Sequence, residues 1–348
     1  MITRSAHNLT TEPVAPAHRP AWQHILSDAI TDPAALLRLL ELDPALLPAA
    51  KKASESFRLR VPLPYIARMQ KGNPDDPLLK QVLPVADELI ETPGYSADPL
   101  GEAPKNAKKG ILHKYRNRLL LMLGSACAVN CRFCFRRHFP YDDNKMNRAE
   151  WQEALDYIAA DTSLTEVIFS GGDPLAVNDA RLRWLTEAIA EIPHVKRLRI
   201  HTRLPIVVPQ RITEEMLSWF TGTRLKPILV VHCNHAREID ADVCHSLTSL
   251  RNAGVTLLSQ TVVLRGINDN VEAMVDLNET LFDNGVLPYY LHLFDKVQGA
   301  AHFDLDETRA RRLLGEMSRH CSGYLVPRLA REKAGAPCKI TLSPLYDD

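Results

Sequence analysis

The sequence predicts an α/β protein with a partial parallel (βα)6 barrel of the TIM type and an N-terminal helical extension. Six short apolar runs recur, and after a longer first interval they are about thirty residues apart, the length of a strand, a helix and two turns. The runs are residues 119–123, 167–169, 198–200, 228–231, 257–263 and 289–293. Between them, Leu182, Leu185 and Ile189 form an apolar stripe at helical spacing, as a crossover helix requires. The alternative is a doubly wound open sheet, although no Gly-x-Gly-x-x-Gly motif follows the first run.

The region before the first run has a helical pattern. Pro33 suits the first turn of a helix that Thr31 would cap, and Leu36 and Leu40 would give this helix an apolar face. The polar stretch 92–109, which contains Pro and Gly, predicts a linker that wraps the barrel. We therefore expect three parts, which are a helical region with its linker (1–109), the barrel (110–300) and a C-terminal segment (301–348).

Composition and charge exclude several classes of function. The 42 basic and 42 acidic residues balance, so no overall field favours nucleic acid or an anionic membrane. The first ten residues contain no apolar signal region, and no apolar run is long enough to span a bilayer. The seven cysteines have no disulfide-like rhythm, which suits a reducing compartment. We expect a cytoplasmic protein that acts on a small molecule and has no nucleic-acid or membrane partner.

Three closely spaced cysteines are the strongest candidate metal ligands. Cys127, Cys131 and Cys134 form the array C-x-x-x-C-x-x-C, which brings three thiolates around one compact cluster. Three ligands for four irons leave one iron open, whereas an electron carrier usually supplies four cysteines, so a substrate or cosubstrate is expected to bind there. The alternative is a zinc site completed by His138. Structural zinc ligands usually come as two separated pairs, which this array lacks.

A second motif, SGGDP at residues 170–174, directly follows the second apolar run. Gly171 and Gly172 lack side chains, so the backbone can approach a ligand closely at the carboxyl end of a strand. Exposed carbonyls and the Asp173 carboxylate would accept hydrogen bonds from the ammonium group of a ligand bound to the open iron. The plain alternative is a tight turn between strand and helix.

Together, CAVNCRFC at 127–134 and SGGDP resemble the radical S-adenosylmethionine (SAM) superfamily. Further motifs are similar to the lysine 2,3-aminomutase family, over roughly residues 100 to 345. These motifs are HTRLPIVVPQRIT at 201–213, SQTVVLRGIND at 259–269, PYYLHLFD at 288–295 and GYLVP at 323–327. The short C-terminus most resembles the branch that supplies β-lysine for the modification of elongation factor P. The resemblance implies a radical SAM barrel, an isomerase that converts L-lysine to β-lysine, and three cofactors: a 4Fe-4S cluster, SAM and pyridoxal phosphate.

The resemblance also implies a role for individual residues. Lys339 of AGAPCK matches the lysine that holds pyridoxal phosphate, although only Gly335 remains of the glycines in the family segment PGGGGK. Arg136 matches the arginine that binds the substrate carboxylate. Asp295 matches an acid that binds the distant ammonium of lysine, and Glu332 stands where the family has a second Asp. The weaker matches are Arg118 and Tyr115 for pyridoxal phosphate, and Gly171, Gly172, Asp173, His232 and Gln260 for SAM.

Alternatives in two classes stay open at this point. One is an aminomutase for another amino acid, either glutamate or arginine. Asp295 and Glu332 disfavour glutamate, because its side chain is itself acidic. The other is a noncatalytic iron-sulfur redox protein, which would need neither SGGDP nor Lys339. The expected partners are L-lysine, a one-electron reductant such as flavodoxin or ferredoxin, and an elongation factor P lysine ligase, together with a homo-oligomer of the chain.

Overall fold

A single curved sheet forms the centre of the molecule. The computed structural model describes residues 20–102, 106–139 and 146–346. In these ranges ten strands pair in chain order. They are β1 Asn106–Lys108, β2 Ile111–Tyr115, β3 Arg118–Met122, β4 Glu166–Ser170, β5 Arg197–Thr202, β6 Lys226–His232, β7 Thr256–Val262, β8 Leu287–His292, β9 Arg328–Arg331 and β10 Ile340–Thr341.

Twelve α-helices accompany the strands in the described ranges. Five precede the sheet: α1 Ala21–Ser27, α2 Pro33–Leu39, α3 Leu47–Ser56, α4 Leu63–Ile66 and α5 Pro77–Lys80. Seven alternate with the strands: α6 Arg148–Ala160, α7 Asp179–Ala190, α8 Leu204–Val207, α9 Glu214–Thr221, α10 Ala241–Asn252, α11 Val271–Asp283 and α12 Glu307–His320. No helix in these ranges is long and apolar enough to cross a membrane.

The sheet is an open, mostly parallel barrel. The six predicted runs are the parallel strands β3 to β8, and β9 adds a seventh that the sequence did not predict. Antiparallel strands flank this set. On one side β1, β2 and β3 form a meander, and on the other side β10 pairs with β9. The predicted partial barrel is confirmed. The doubly wound alternative is wrong, since the strand order never reverses.

Alternation along the strands β3 to β8 separates an outer apolar face from an inner face that carries most of the polar side chains. On the outer face, Val167 and Phe169 of β4 and Leu198 and Ile200 of β5 are fully buried. The predicted stripe of α7 lies in the same hydrophobic cluster, which confirms its role as a crossover helix. Burying each such side chain contributes roughly 1.5–3 kcal/mol, so the helical layer fixes the register that directs the polar residues inward.

The N-terminal region is helical, as predicted, and shares the core of the barrel. Trp22 of α1 and Leu36 of α2 belong to the hydrophobic cluster that contains the outer face of the sheet. The predicted cap of α2 is wrong, because Asp32 and not Thr31 accepts a hydrogen bond from the Ala34 amide, at 3.0 Å. The end of the predicted linker forms β1.

Candidate active site

The inner face of the sheet lines a large cavity. Its empty volume is about 1680 Å³, including the open mouth. Alternate residues of the parallel strands β3 to β8 form its wall: Arg118, Leu120, Ile168, Ser170, Arg199, His201, Val230, His232, Gln260, Val262, Tyr290 and His292. Every predicted site residue also lines this cavity, whether it comes from the cysteine loop, the β4 turn, the strands or the C-terminal segment. The structure therefore brings together residues that are far apart in the sequence.

The turn after β4 is hydrogen-bonded to the segment that leads into the cysteines. The Gly172 amide donates to the Gly124 carbonyl at 2.8 Å, and the Asp173 amide donates to the Ala126 carbonyl at 2.9 Å. A Cβ on Gly172 would lie 2.5 Å from the Ala126 oxygen, and Gly171 has a φ of +127°. At both positions the backbone of the turn lies against the segment that leads into the cysteines, and a side chain would not fit between them. Only glycine is therefore compatible with this packing.

Asp173 connects the same turn to the end of β5. Its carboxylate accepts hydrogen bonds from Thr202 Oγ1 at 2.7 Å, from the Arg203 amide at 2.8 Å and from the Leu175 amide at 3.0 Å. Burial raises the pKa of Asp173, while these hydrogen bonds lower it. The carboxylate therefore has a structural task in addition to its predicted contact with SAM.

The three thiols suit a metal cluster electrostatically. Burial raises the pKa of Cys127 well above its usual range and that of Cys134 to about 11. Thiolates at these positions need a metal to stabilise them, and a cluster takes each thiolate on a different iron. In the described ranges, no three His, Cys, Asp or Glu side chains converge on one ion. His138 is exposed and contacts the Gln298 carbonyl at 3.2 Å, so it does not complete a zinc site with the cysteines.

Five charged side chains of alternating sign form a continuous chain along the cavity wall. Arg136 donates to both carboxylate oxygens of Glu102, at 2.7 and 3.0 Å, and Lys114 donates to Glu102 at 2.8 Å. Lys114 also donates to Glu332 at 3.2 Å, and Glu332 accepts from Lys339. Sequence reasoning missed Glu102 and Lys114, because neither belongs to a motif.

The two acids of this charged chain are firmly ionised. Burial raises the pKa of Glu102, but Arg136 and Lys114 together have the larger effect and lower this pKa to about 2. Burial likewise raises the pKa of Glu332, which Lys339 and Lys114 lower to about 2. Glu332 thus lies in the predicted site and is already paired with two lysines.

Asp295 is the exception among the acids of the cavity. Burial and the nearby Glu332 raise its pKa to about 7, and its carboxylate has no hydrogen-bond or ion-pair partner in the described ranges. Even a partly buried carboxylate without a partner is unfavourable unless a ligand cation pairs with it. Asp295 is therefore the acid of this site that is available to a cationic ligand.

Aromatic and cationic groups line the cavity together with Lys339. Its Nζ lies 5.6 Å from the centre of the Tyr290 ring, and the Arg118 guanidinium lies 4.4 Å from the centre of the Tyr115 ring. A primary amine, aromatic faces and a nearby arginine are the groups that a phosphorylated aromatic aldehyde requires. The predicted residues therefore fit pyridoxal phosphate.

Three neutral histidines complete the inner face, of which the sequence indicated only His232. Burial lowers the pKa of His232 to about 3 and the pKa values of His201 and His292 well below their usual range. The Nε2 atoms of His201 and His232 are buried without a partner in the described part of the chain. Such atoms can bond to polar groups of a ligand.

Comparisons with known proteins agree with this geometry. Residues 121–220, which contain the cysteines and the β4 turn, match the model of the Radical SAM superfamily. The chain is 53% identical to the L-lysine 2,3-aminomutase of Escherichia coli K12, over 93% of this chain and 95% of that protein. It is 51% identical to the L-lysine 2,3-aminomutase of Haemophilus influenzae, over 91% of this chain and 94% of that protein. For the L-lysine 2,3-aminomutase of Clostridium subterminale the identity is 34%, over 84% of this chain and 70% of that protein.

Proposed function

Because the chain belongs to the L-lysine 2,3-aminomutase family of the radical SAM superfamily, we propose that it converts L-lysine to β-lysine, with Cys127, Cys131 and Cys134 holding the cluster and Lys339 holding pyridoxal phosphate. One observation supports this most directly. A single cavity contains the three thiols, Lys339 and the carboxylate of Asp295, which has no ion-pair partner among the residues that the structure describes. An iron-sulfur protein that only transfers electrons requires neither a lysine that holds pyridoxal phosphate nor a carboxylate that binds a substrate cation.

The residues divide the work between the cofactors and the substrate. When bound, the cluster and SAM supply radical chemistry, and pyridoxal phosphate supplies the π-system across which nitrogen moves between neighbouring carbons. The β4 turn and His232 Nε2, which has no hydrogen-bond partner within the described ranges, offer polar contacts to SAM. Arg118 and Tyr115 bind pyridoxal phosphate, and the walls of the sheet exclude water.

The charges of the cavity favour lysine as the substrate. Arg136 binds the substrate carboxylate, and Asp295 binds the distant ammonium. Glutamate would place a second negative charge next to Asp295, which is unfavourable in a buried site. The reconstituted enzyme should form β-lysine from L-lysine and no β-amino acid from glutamate or arginine. A faster reaction with either alternative would overturn the substrate assignment.

Replacing Asp295 with Asn is expected to raise the KM for lysine by about 10- to 100-fold, the loss of one charge-assisted hydrogen bond. In the wild type the ammonium binds the ionised carboxylate, whose pKa in the free protein is about 7. Lysine binding should therefore tighten as the pH rises to 7 and level off above it, and should weaken by up to about tenfold per unit of pH below it. Asp295→Asn should lose this dependence.

The matched control for this experiment is Asp304→Asn. Asp304 bonds to the Tyr95 hydroxyl at 2.7 Å and does not line the cavity, so the variant should keep the KM and its pH profile. A wild-type pH profile in Asp295→Asn would exclude Asp295 as the ammonium site.

Replacing Glu102 with Gln is expected to lower the KM for lysine by about 3- to 10-fold. In the free protein Glu102 already engages Arg136 through both of its carboxylate oxygens. The substrate carboxylate has to compete with Glu102 for this guanidinium, and Gln has the same shape without the charge. Steady-state kinetics measures the effect, with Arg136→Lys as the opposite case that should raise the KM. A raised KM in Glu102→Gln would mean that Glu102 only holds Arg136 in place.

The proposed partners follow from the same chemistry. SAM cleavage needs a one-electron reductant, such as flavodoxin or ferredoxin. From the resemblance of the chain to the short branch of the family, we infer that its β-lysine passes to a ligase for elongation factor P. The homo-oligomer and the three-part division of the chain stay predictions, which light scattering and limited proteolysis test.

A further inference from the structure

A buried hydrogen-bond network connects the N-terminal helical region to one of the three cluster cysteines. Arg203, the residue after β5, donates from Nη1 to Cys131 Sγ at 2.7 Å. Its Nη2 atom donates to Tyr65 Oη at 3.1 Å, to Gln81 Oε1 at 2.6 Å and to Glu238 Oε2 at 2.8 Å. The guanidinium therefore joins three distant segments of the chain to the sulfur of one proposed iron ligand.

The anchor of this arginine is itself fixed. Glu238 is fully buried and also accepts hydrogen bonds from Gln81 Nε2 at 3.1 Å, from the Asn234 amide at 2.9 Å and from the His235 amide at 3.1 Å. Because these contacts fix the position of the Glu238 carboxylate, its ion pair with Arg203 fixes the guanidinium as well. The donor is thus aimed at the Cys131 sulfur before any metal binds.

Aromatic rings limit the movement of the same guanidinium. The Tyr65 ring centre lies 5.4 Å from it and the Phe133 ring centre 5.5 Å. The Arg203 side chain is 6% exposed, so water contributes little screening at this position. The interaction between the cation and the sulfur is therefore stronger than it would be on the surface.

We propose that Arg203 is a positioning residue that hydrogen-bonds to the Cys131 sulfur in the cluster-loaded protein and raises the reduction potential of the cluster. One-electron reduction adds a negative charge that the sulfur ligands share. A cationic N–H donor stabilises this reduced state more than the oxidised state, and hydrogen bonds to the sulfurs are a main control of cluster potentials. The inference rests on the proposed cluster site and is independent of the amino acid that the enzyme isomerises.

The test is a redox titration of the anaerobically reconstituted full-length protein, followed by electron paramagnetic resonance of the reduced cluster. In Arg203→Gln the equilibrium constant for reduction should fall about tenfold, which corresponds to a midpoint about 59 mV more negative. The matched control is Arg211→Gln, because Arg211 is also buried but donates to Asp179 and to the Leu175 carbonyl. This control should keep the wild-type potential.

A second variant keeps the proposal testable if Arg203→Gln does not retain iron. Gln81→Met removes an acceptor that aligns Nη2 and leaves the charge of Arg203 in place, so the midpoint should move in the same direction by a smaller amount. An unchanged or more positive midpoint in Arg203→Gln overturns the proposal. If the Arg203→Gln variant cannot be loaded with the cluster, an unchanged midpoint potential in Gln81→Met overturns the proposal instead. A wild-type protein that takes up no iron and sulfide would refute the cluster site itself.

Discussion

Lys339→Ala is expected to abolish turnover and to leave iron and sulfide unchanged. Lys339 lines the cavity and is held there by Glu332, so its loss removes the primary amine to which pyridoxal phosphate attaches. Borohydride treatment followed by peptide mass mapping should find pyridoxal on Lys339 in the wild type and on no lysine in the variant.

A control in the same loop separates this effect from disturbance of the loop. Lys333 is exposed and does not line the cavity, so Lys333→Ala should keep both the adduct and the activity. Lys114 also lies in the cavity wall. An adduct on Lys114 in the wild-type protein would overturn the assignment of Lys339.

Cys131→Ala is expected to remove the cluster together with all turnover. The variant leaves two thiols on the loop, and it also deprives the buried Arg203 of the sulfur to which it donates. Iron and sulfide analysis should fall to background, while pyridoxal should still attach to Lys339. Cys244→Ala is the matched control, because Cys244 lies on α10 away from the cavity and should keep iron and activity. A Cys131→Ala protein that forms β-lysine would contradict the cluster assignment.

The parallel strands β3 to β8 could be predicted from the sequence because each carries an apolar run that the fold buries at least in part. Val167 and Phe169 of β4 are examples, since they face the helical layer and recur at strand spacing. The strands β1, β9 and β10 have only two to four residues each, and β2 begins with the buried pair Ile111 and Leu112 but continues with three partly buried residues, so pairing with neighbouring strands decides where these four strands form. Arg328–Arg331, for instance, buries only its two central residues. The apolar runs of the sequence predict the number of central strands, but they do not show which other segments extend the sheet.

The motif residues of the site were predictable because their spacing is local. Cys127, Cys131 and Cys134 lie on one loop, and the β4 turn packs against that loop. The pairing of Glu102 with Arg136 joins residues of two separate segments, and no local pattern signals it. Likewise, the sequence placed Glu332 beside the substrate but did not reveal that two lysines already neutralise it. Tertiary contacts decide which charges of a buried site stay available.

We propose that the cavity that contains Cys127, Cys131, Cys134 and Lys339 is where lysine is isomerised. The most direct test adds SAM, pyridoxal phosphate, a one-electron reductant and L-lysine to the anaerobically reconstituted protein, with a parallel sample that omits lysine. We expect β-lysine, and 5′-deoxyadenosine above the lysine-free background. A protein that binds zinc in place of iron and sulfide, or that takes up the cluster and forms no β-lysine, would contradict the account.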